Sequence, residues 1–113
     1  MLRGDIYEAN LNPVVGSEQA GQRPVIIVSR NAINKASPVV IVVPLTGVEH
    51  CKKIYPSQVL LKSGTEGLTK DSVALGEQVR AINKTRLTRR LGSLDQEDHK
   101  KLGIALKITL DLP

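Results

Sequence analysis

Two aliphatic runs near the middle of the chain restrict the fold more than any other feature. The first is Val-Ile-Ile-Val at residues 25–28, and the second covers residues 39–45, with Val or Ile at every position from 39 to 43. Strands that are apolar on both faces are buried on both faces, so both runs predict central strands. The short polar link at residues 30–37 predicts at most two turns of helix and an antiparallel pairing of the strands. Pro44 interrupts the second run and predicts a strand end, a bulge or an edge.

The antiparallel pairing brings two polar side chains together at one end of the sheet. If the link turns symmetrically around residues 34 and 35, Ile26 lies opposite Val43 and Arg23 lies opposite Thr46. A guanidinium presents its donors as a planar fork that suits phosphate, and a hydroxyl beside it adds a donor or an acceptor. The sequence therefore predicts a phosphate-binding site at this end of the two strands.

A polar loop at residues 16–21, which begins and ends with glycine, precedes the first of these strands. Its residues Ser17, Glu18 and Gln19 carry side chains that form hydrogen bonds, and the glycines adopt backbone conformations that other residues avoid. Binding loops on rigid scaffolds have this composition. The alternative is an ordinary hairpin loop in which Arg23 only extends along the strand end to reach water.

The rest of the chain predicts short strands and one terminal helix. Strands are predicted at residues 5–11, 57–62, 71–82 and 87–91, with a turn at 63–67. Gly76, inside the third of these, predicts a bulge or a close backbone approach, and without a bulge Glu77 shares a face with Val73. From residue 95 the pattern is helical, with Asp95 as N-cap and an inward stripe of Leu102, Ala105, Leu106 and Ile108. These elements predict a mainly β, α+β fold: a small, strongly bent sheet or barrel of short, mostly antiparallel strands with a C-terminal helix.

The length and the cysteine content set the expected organisation. A chain of 113 residues is expected to form a single domain over residues 1–113 and to bury a core without metals or disulfides. The single Cys51 excludes an internal disulfide, and no apolar run reaches the ~18 residues of a membrane span. The N-terminal residues lack the apolar segment of a secretion signal, so the expected location is the cytoplasm, with no membrane partner.

Charge and aromatic content narrow the classes of function. A net charge of +5 favours an anionic partner, and a chain with two Tyr and no Phe or Trp cannot offer a platform of stacked rings. His50 and Cys51 are too few for a zinc site, and the chain has no phosphate-binding loop or dinucleotide fingerprint. No metal or cofactor is therefore expected. Several basic residues serve either phosphate attraction or solubility: Lys52, Lys53, Arg80, Arg86, Arg89 and Arg90.

Short motifs follow one another in a fixed order along nearly the whole chain. They are Arg-Gly-Asp-Ile-Tyr at 3–7, Pro13, Gly-Ser-Glu-Gln at 16–19, Gly21, Arg-Pro-Val at 23–25, Pro-Leu-Thr at 44–46, Asp-Ser-Val at 71–73 and Glu-Gln-Val-Arg at 77–80. In this order and spacing, the chain closely resembles the MazF/PemK family of bacterial toxins. The resemblance implies an SH3-like barrel of the kind shared with the CcdB toxins, a homodimer, and a metal-independent, sequence-specific endoribonuclease. It also implies a cognate antitoxin whose acidic, extended segment occupies the RNA groove.

The resemblance assigns roles to individual residues. The family's catalytic arginine and threonine match Arg23 and Thr46, and Glu77 is a weaker catalytic candidate whose alternative role is an ion pair at the rim. Contacts to the RNA are expected from Ser17, Glu18, Gln19, Gln78 and Arg80. The implied reaction is attack of a ribose 2′-hydroxyl on the adjacent phosphodiester of single-stranded RNA. This reaction leaves 2′,3′-cyclic phosphate and 5′-hydroxyl ends.

The chain departs from the plasmid-borne Kid branch of this family at three positions. Ser17 stands in place of a histidine, Leu75 in place of an arginine, and Glu77 in place of the aspartate proposed as a base. The chromosomal MazF pattern fits better, and an acid–base scheme that uses the Kid groups does not transfer whole. Two other functions stay open: a CcdB-like toxin that binds DNA gyrase and cleaves nothing, and a plain nucleic-acid-binding barrel.

Overall fold

The computed structural model of the protein describes residues 1–64 and 66–113. Its strands and helices are β1 (Asp5–Asn10), β2 (Gln22–Ile27), α1 (Asn31–Ala36), β3 (Val39–Gly47), β4 (Gln58–Leu61), β5 (Ser72–Leu75), β6 (Arg80–Asn83), β7 (Leu87–Ser93) and α2 (Gln96–Leu110). Single 3₁₀ turns lie at Val48–His50, Gly76–Gln78 and Lys84–Arg86. The turn predicted at 63–67 includes Thr65, which lies outside the described residues.

The strand pairs of the described residues are antiparallel and form one curled sheet. The strand order is β4-β5-β3-β2-β1-β7, with β6 also paired to β3. The two ends of this order approach each other, since a Cβ on Gly67, in the loop after β4, would lie 2.0 Å from the carbonyl oxygen of Leu91 in β7. The predicted fold class, mainly β with a C-terminal helix, is confirmed.

The long strand β3 sets the register of the sheet. On one side it pairs with β2, and Ile26 lies opposite Val43 as the sequence predicts. On the other side it pairs first with β6 and, beyond residue 44, with β5. The predictions of a strand end or an edge at Pro44 are wrong, because β3 continues to Gly47 between its neighbours. Pro44 lies where β3 exchanges β6 for β5, and a residue without an N–H interrupts the ladder least at such a place.

The strand predicted at 71–82 is broken in its middle by the 3₁₀ turn Gly76–Gln78, which separates β5 from β6. The N–H of Gly76 donates to the carbonyl oxygen of Ser57 at 3.0 Å, and a Cβ on residue 76 would lie 2.2 Å from that oxygen. The predicted close approach at Gly76 is therefore confirmed. The prediction of a continuous strand is wrong, because this contact accompanies a turn of the chain. As a result, Glu77 does not share a strand face with Val73.

The two faces of the curled sheet carry separate apolar clusters. One cluster joins residues of β1, β2, β3 and β4 to α2, and the other lies on the opposite face and includes β6. Ile26 belongs to the first cluster, Val25 and Ile27 belong to the second, and all three are fully buried. Burial on both faces confirms β2 as a central strand.

Helix α2 begins and packs as predicted along most of its inward stripe. The carboxylate of Asp95 accepts a hydrogen bond from the N–H of Asp98 at 2.8 Å, which confirms the N-cap. Leu102 and Ala105 are buried against the sheet. The prediction that Ile108 faces inward is wrong, since this residue is 51% exposed. It lies about 60° around the helix from Ala105, on the side away from Leu102. Among the described residues, no helix is long and apolar enough to cross a membrane.

Candidate functional site

A cavity of about 480 Å³ opens where β2 begins and β3 ends. Arg23 and Thr46 both line it, so the structure brings together the two residues that the strand pairing predicts as neighbours. The observed register ends with Val25 opposite Pro44, and continuing it by two residues sets Arg23 opposite Thr46. Thr46 is only 6% exposed, which fixes its side chain on the rigid part of the site.

Arg23 is oriented by the loop that precedes it. Its Nε donates to the carbonyl oxygen of Ala20 at 2.8 Å. A guanidinium has five N–H donors, so one bond to the backbone orients the group and leaves donors that can bind an anion. The cavity therefore offers a fixed hydroxyl and an anchored cation, which is the donor set that a phosphate group requires.

The loop at 16–21 has a defined conformation because hydrogen bonds fix both its base and its middle. Gly16 and Gly21 have φ angles of +59° and +77°, which confirms the expected use of glycine. The N–H of Gly21 donates to Asn12 Oδ1 at 3.1 Å, and the carboxylate of Glu18 accepts from the N–H of Val15 at 2.6 Å. One carboxylate oxygen of Glu18 is thus used to hold its own loop.

A second opening, of about 380 Å³, lies beside this loop. The side chain of Gln78 ties the loop to the 3₁₀ turn, because its Oε1 accepts from the N–H of Gln19 at 2.8 Å and its Nε2 donates to the Ser17 carbonyl at 3.4 Å. The opening gathers five residues singled out from the sequence: Ser17, Glu18, Glu77, Gln78 and Arg80.

Glu77 lies apart from the Arg23–Thr46 pair. It lines the second opening, whereas Arg23 and Thr46 line the cavity. Its carboxylate accepts from Gln58 Nε2 at 2.7 Å and from Ser57 Oγ at 3.4 Å. Both partners are neutral donors, so the contacts described for Glu77 are hydrogen bonds and not ion pairs. Gln58 is the first residue of β4, and Ser57 directly precedes that strand.

Among the residues that the structure describes, two polar side-chain atoms near the second opening are buried and have no hydrogen-bond partner. They are Nη1 of Arg80 and Oε1 of Gln19. Buried polar atoms in proteins are nearly always hydrogen-bonded, so each of these atoms has an unused capacity for a hydrogen bond. Both atoms belong to residues that the sequence predicts as RNA contacts.

The cavity is also lined by charged residues that the sequence alone did not place there. Arg89 and Arg90 come from β7, Lys70 comes from the segment before β5, and Glu8 comes from β1. The pairing of β1 with β7 carries the two arginines to the cavity, and this pairing joins residues about 80 positions apart. In the described part of the chain, three of the basic residues that line the cavity form ion pairs: Arg89 Nη2 with Glu8 Oε2 at 3.6 Å, Arg90 Nη2 with Asp5 Oδ1 at 3.4 Å, and Lys70 Nζ with Glu49 Oε2 at 3.3 Å.

An acidic cluster at the start of α2 borders the segment that lines the cavity. Carboxylate oxygens of Glu66, Asp95 and Asp98 lie within 4.8 Å of one another. Burial, followed by the hydrogen bond and the charge of Asp98, raises the pKa of Glu66 to about 7, although the N–H of Asp95 opposes the shift. The sequence did not predict this group of potential cation ligands.

Comparison with known proteins places these features in one family. The model of PemK-like, MazF-like toxins of type II toxin–antitoxin systems matches residues 2–110. Endoribonuclease MazF of Staphylococcus saprophyticus is 45% identical over 112 residues, which cover 99% of this chain and 92% of that protein. Endoribonuclease EndoA of Bacillus subtilis is 44% identical over 110 residues, which cover 97% of this chain and 94% of that protein.

Solved structures agree with this fold. An endoribonuclease in complex with its cognate antitoxin, from a mycobacterial species, matches with a TM-score of 0.81 at 27% identity, covering 100% of this chain and 97% of that one. MazF of Deinococcus radiodurans has the same fold, with a TM-score of 0.82 at 24% identity over 98% of this chain and 96% of that one. Because the family model spans nearly the whole chain and two relatives share 44% and 45% of its residues, the chain belongs to the PemK-like, MazF-like toxins of type II toxin–antitoxin systems.

Proposed function

We propose that this toxin is an endoribonuclease that cleaves single-stranded RNA at specific sequences without a metal ion. The observation that carries the proposal is the position of Arg23 and Thr46 on one cavity at the end of the two central strands. Two relatives that cover nearly the whole chain are named endoribonucleases, which supports the same activity here. Residues 1–113 form a single toxin domain in this proposal.

Cleavage proceeds by attack within the RNA chain. The ribose 2′-oxygen forms a bond to the phosphorus of the adjacent phosphodiester, and the bond from that phosphorus to the 5′-oxygen of the next nucleotide breaks. The proton of the 2′-hydroxyl passes to a base, and the leaving 5′-oxygen takes up a proton. The products are therefore a 2′,3′-cyclic phosphate and a 5′-hydroxyl.

Arg23 and Thr46 act on the phosphate that undergoes attack. Negative charge builds on the phosphoryl oxygens as the 2′-oxygen attacks, and donors already aimed at that position lower the barrier. Arg23 supplies such donors, and its anchoring bond to Ala20 limits the reorganisation that the reaction requires. Thr46 positions the scissile phosphate or a proton with its hydroxyl. Arg23 is a poor base at neutral pH because a guanidinium keeps its proton.

Glu77 is the third catalytic candidate, and its position limits the part of the RNA on which it can act as a base. A general base must come within hydrogen-bond reach of the proton that it removes. Glu77 lines the second opening, so it acts as base only on a nucleotide that extends from the cavity into that opening. Glu77→Gln tests this role: a loss of kcat supports a base, whereas a change in KM alone supports an RNA contact.

The second opening is the proposed place where the RNA sequence is read. Specific RNA recognition uses splayed, single-stranded bases and hydrogen bonds to their edges. The unpartnered Nη1 of Arg80 and Oε1 of Gln19 supply a donor and an acceptor for such contacts. The full set of proposed contacts is Ser17, Glu18, Gln19, Gln78 and Arg80.

The proposed partners follow from the family and from the charge of the chain. A cognate antitoxin inhibits the toxin by laying an acidic, extended segment over the RNA site, and the net charge of +5 suits such a partner. A mycobacterial neighbour was solved with its cognate antitoxin, which supports this regulation. The toxin acts as a homodimer in the cytoplasm, where its RNA substrate is found.

The test is incubation of purified protein with a long RNA of mixed sequence in an excess of chelator. Arg23→Ala is compared with Arg30→Ala, because Arg30 is exposed and lies beyond the opposite end of β2. We expect specific cleavage by the wild type and by Arg30→Ala, and a loss of at least about 100-fold in kcat for Arg23→Ala. Sequencing the fragments from their 5′-hydroxyl ends gives the recognition sequence.

Different outcomes separate the alternatives. Cleavage that requires an added divalent cation overturns the metal-independent mechanism. Absence of cleavage together with inhibition of DNA gyrase supports the CcdB-like alternative, and binding of RNA without either effect supports a plain binding barrel.

A further inference from the structure

The cavity that holds Arg23 and Thr46 is also lined by arginines from strand β7. Arg90 lines this cavity from β7, and its side chain is about half exposed. Strand β1 lies between the two arginines, with Ala9 opposite Arg23 on one side and Tyr7 opposite Arg90 on the other. Strand spacing and rise then separate the two Cα atoms by roughly 12 Å. Side chains as long as arginine reach neighbouring phosphates of one strand across such a gap.

A buried carboxylate holds Arg90 in this place. Asp5 Oδ1 contacts Arg90 Nη2 at 3.4 Å, and Asp5 Oδ2 accepts from the N–H of Leu2 at 2.9 Å. Asp5 is 6% exposed and does not line the cavity. Its charge therefore supports the guanidinium from behind without facing an incoming anion. This contact also gives the aspartate of the Arg-Gly-Asp motif a defined place in the fold.

The other cations of the cavity lack this arrangement. Arg89 is paired with Glu8, and both line the cavity, so its charge is offset where a phosphate would enter. Lys70 pairs with Glu49 through two well-exposed side chains, which screens that pair. Arg86 does not line the cavity, and its Nη1 donates to the carbonyl oxygens of Asn10 and Asn12. Among these residues, Arg90 is the cation whose partner is buried and does not line the cavity.

We propose that Arg90 binds an RNA phosphate adjacent to the scissile one, and that Asp5 is the positioning residue that holds Arg90 toward the cavity. The inference rests on the proposed ribonuclease function and adds a phosphate subsite to it. Arg23 contributes to the step in which bonds change, whereas Arg90 contributes to holding the RNA. Loss of Arg90 therefore changes KM, and loss of Arg23 changes kcat.

The experiment compares Arg90→Gln, Arg90→Lys and Asp5→Asn with Arg30→Gln, which removes the same charge from a distant, exposed position. Two kinds of measurement are made: KM and kcat for an RNA that contains the cleavage sequence, and the salt dependence of binding to the same RNA with a 2′-deoxy group at the attacking nucleotide. Thermal unfolding of each variant reports folding.

We expect Arg90→Gln to raise KM about fivefold, the value of one partly exposed charge contact, with little change in kcat. The slope of log K against log salt should fall in magnitude by about 0.7, because one phosphate contact is lost from a single strand. Arg90→Lys should restore most of this slope, since it restores the charge. Asp5→Asn should also raise KM, as Arg90→Gln does, and should leave kcat unchanged.

The proposal and the function on which it rests fail in different ways. If the wild type does not cleave RNA, the proposed function is refuted and the subsite with it. If the wild type cleaves and Arg90→Gln matches Arg30→Gln in KM and in salt slope, only the subsite is refuted. If Asp5→Asn does not fold, the two Arg90 variants still decide the subsite.

Discussion

Replacing Glu66 by Gln is expected to stabilise the protein above neutral pH. The Oε2 of Glu66 accepts from the N–H of Asp95 at 2.7 Å, beside the carboxyl of Asp98 at the start of α2. Burial is the main cause that raises the pKa of Glu66 to about 7. A glutamine keeps an oxygen for the Asp95 N–H and offers an N–H₂ donor to Asp98, so it reproduces the protonated form at every pH.

The sign and the size of the effect follow from the pKa. Between pH 4.5 and about 7 the folded state binds the Glu66 proton more tightly than the unfolded chain does, so stability falls as pH rises through this window. A pKa raised from 4.5 to about 7 sets an upper limit of about 3.4 kcal/mol. Because Glu66 is only partly buried, solvent screening reduces the expected value to about 1 kcal/mol.

Urea unfolding of the wild type and the Glu66→Gln variant at pH 5 and pH 8 measures this contribution. The wild type should lose about 1 kcal/mol relative to the variant over that interval. Glu49→Gln is the matched control: hydrogen bonds from its own backbone and from Lys70 lower the pKa of Glu49, so its titration lies below this interval. If the wild type and Glu66→Gln keep the same difference in stability at both pH values, the proton on Glu66 has no role in stability.

Two glycines and one glutamate give further predictions. Gly103→Ala should raise the free energy of unfolding by about 0.5–1 kcal/mol in urea titrations, because Gly103 is helical and nothing lies within 4 Å of the added Cβ. Gly76→Ala should lower that free energy by about 1–3 kcal/mol, because its Cβ would lie 2.2 Å from the Ser57 carbonyl oxygen, and equal effects of the two variants would contradict the packing. Glu8→Gln should tighten RNA binding by up to about fivefold at low salt by releasing Arg89 from its 3.6 Å ion pair. Fluorescence anisotropy with a short RNA measures this change, and weaker binding would show that Glu8 itself contacts the RNA.

The centre of the sheet was predictable because its signal is local. Two aliphatic runs joined by a short link leave one simple pairing, and that pairing sets Ile26 opposite Val43 in the structure. The same register carries Arg23 and Thr46 to one end of the strands and so to one cavity. The N-cap at Asp95 was predictable for the same reason, since the capping side chain and the N–H that it binds are three residues apart.

The features that the sequence missed depend on contacts between distant segments. The break between β5 and β6 at Gly76 accompanies a hydrogen bond to Ser57, and no local sequence pattern indicates this contact. The place of Arg90 depends on the pairing of β1 with β7, in which two register shifts change the faces that residues would otherwise occupy. The sequence alone therefore does not show which basic residues line the cavity, because their positions depend on the pairing of distant strands.

The loop at 16–21 connects the two openings through consecutive peptide units. The carbonyl of Ala20 accepts from Arg23, which lines the cavity, and the N–H of Gln19 donates to Gln78, which lines the second opening. A base that takes the place of Gln19 at Gln78 must therefore disturb the residue beside the one that anchors Arg23. In the proposed function, base reading and phosphate binding share this short support, so we expect a base bound at Gln78 to shift the anchor of the arginine at the cavity. We therefore expect sequence specificity to act on the rate of cleavage as well as on binding.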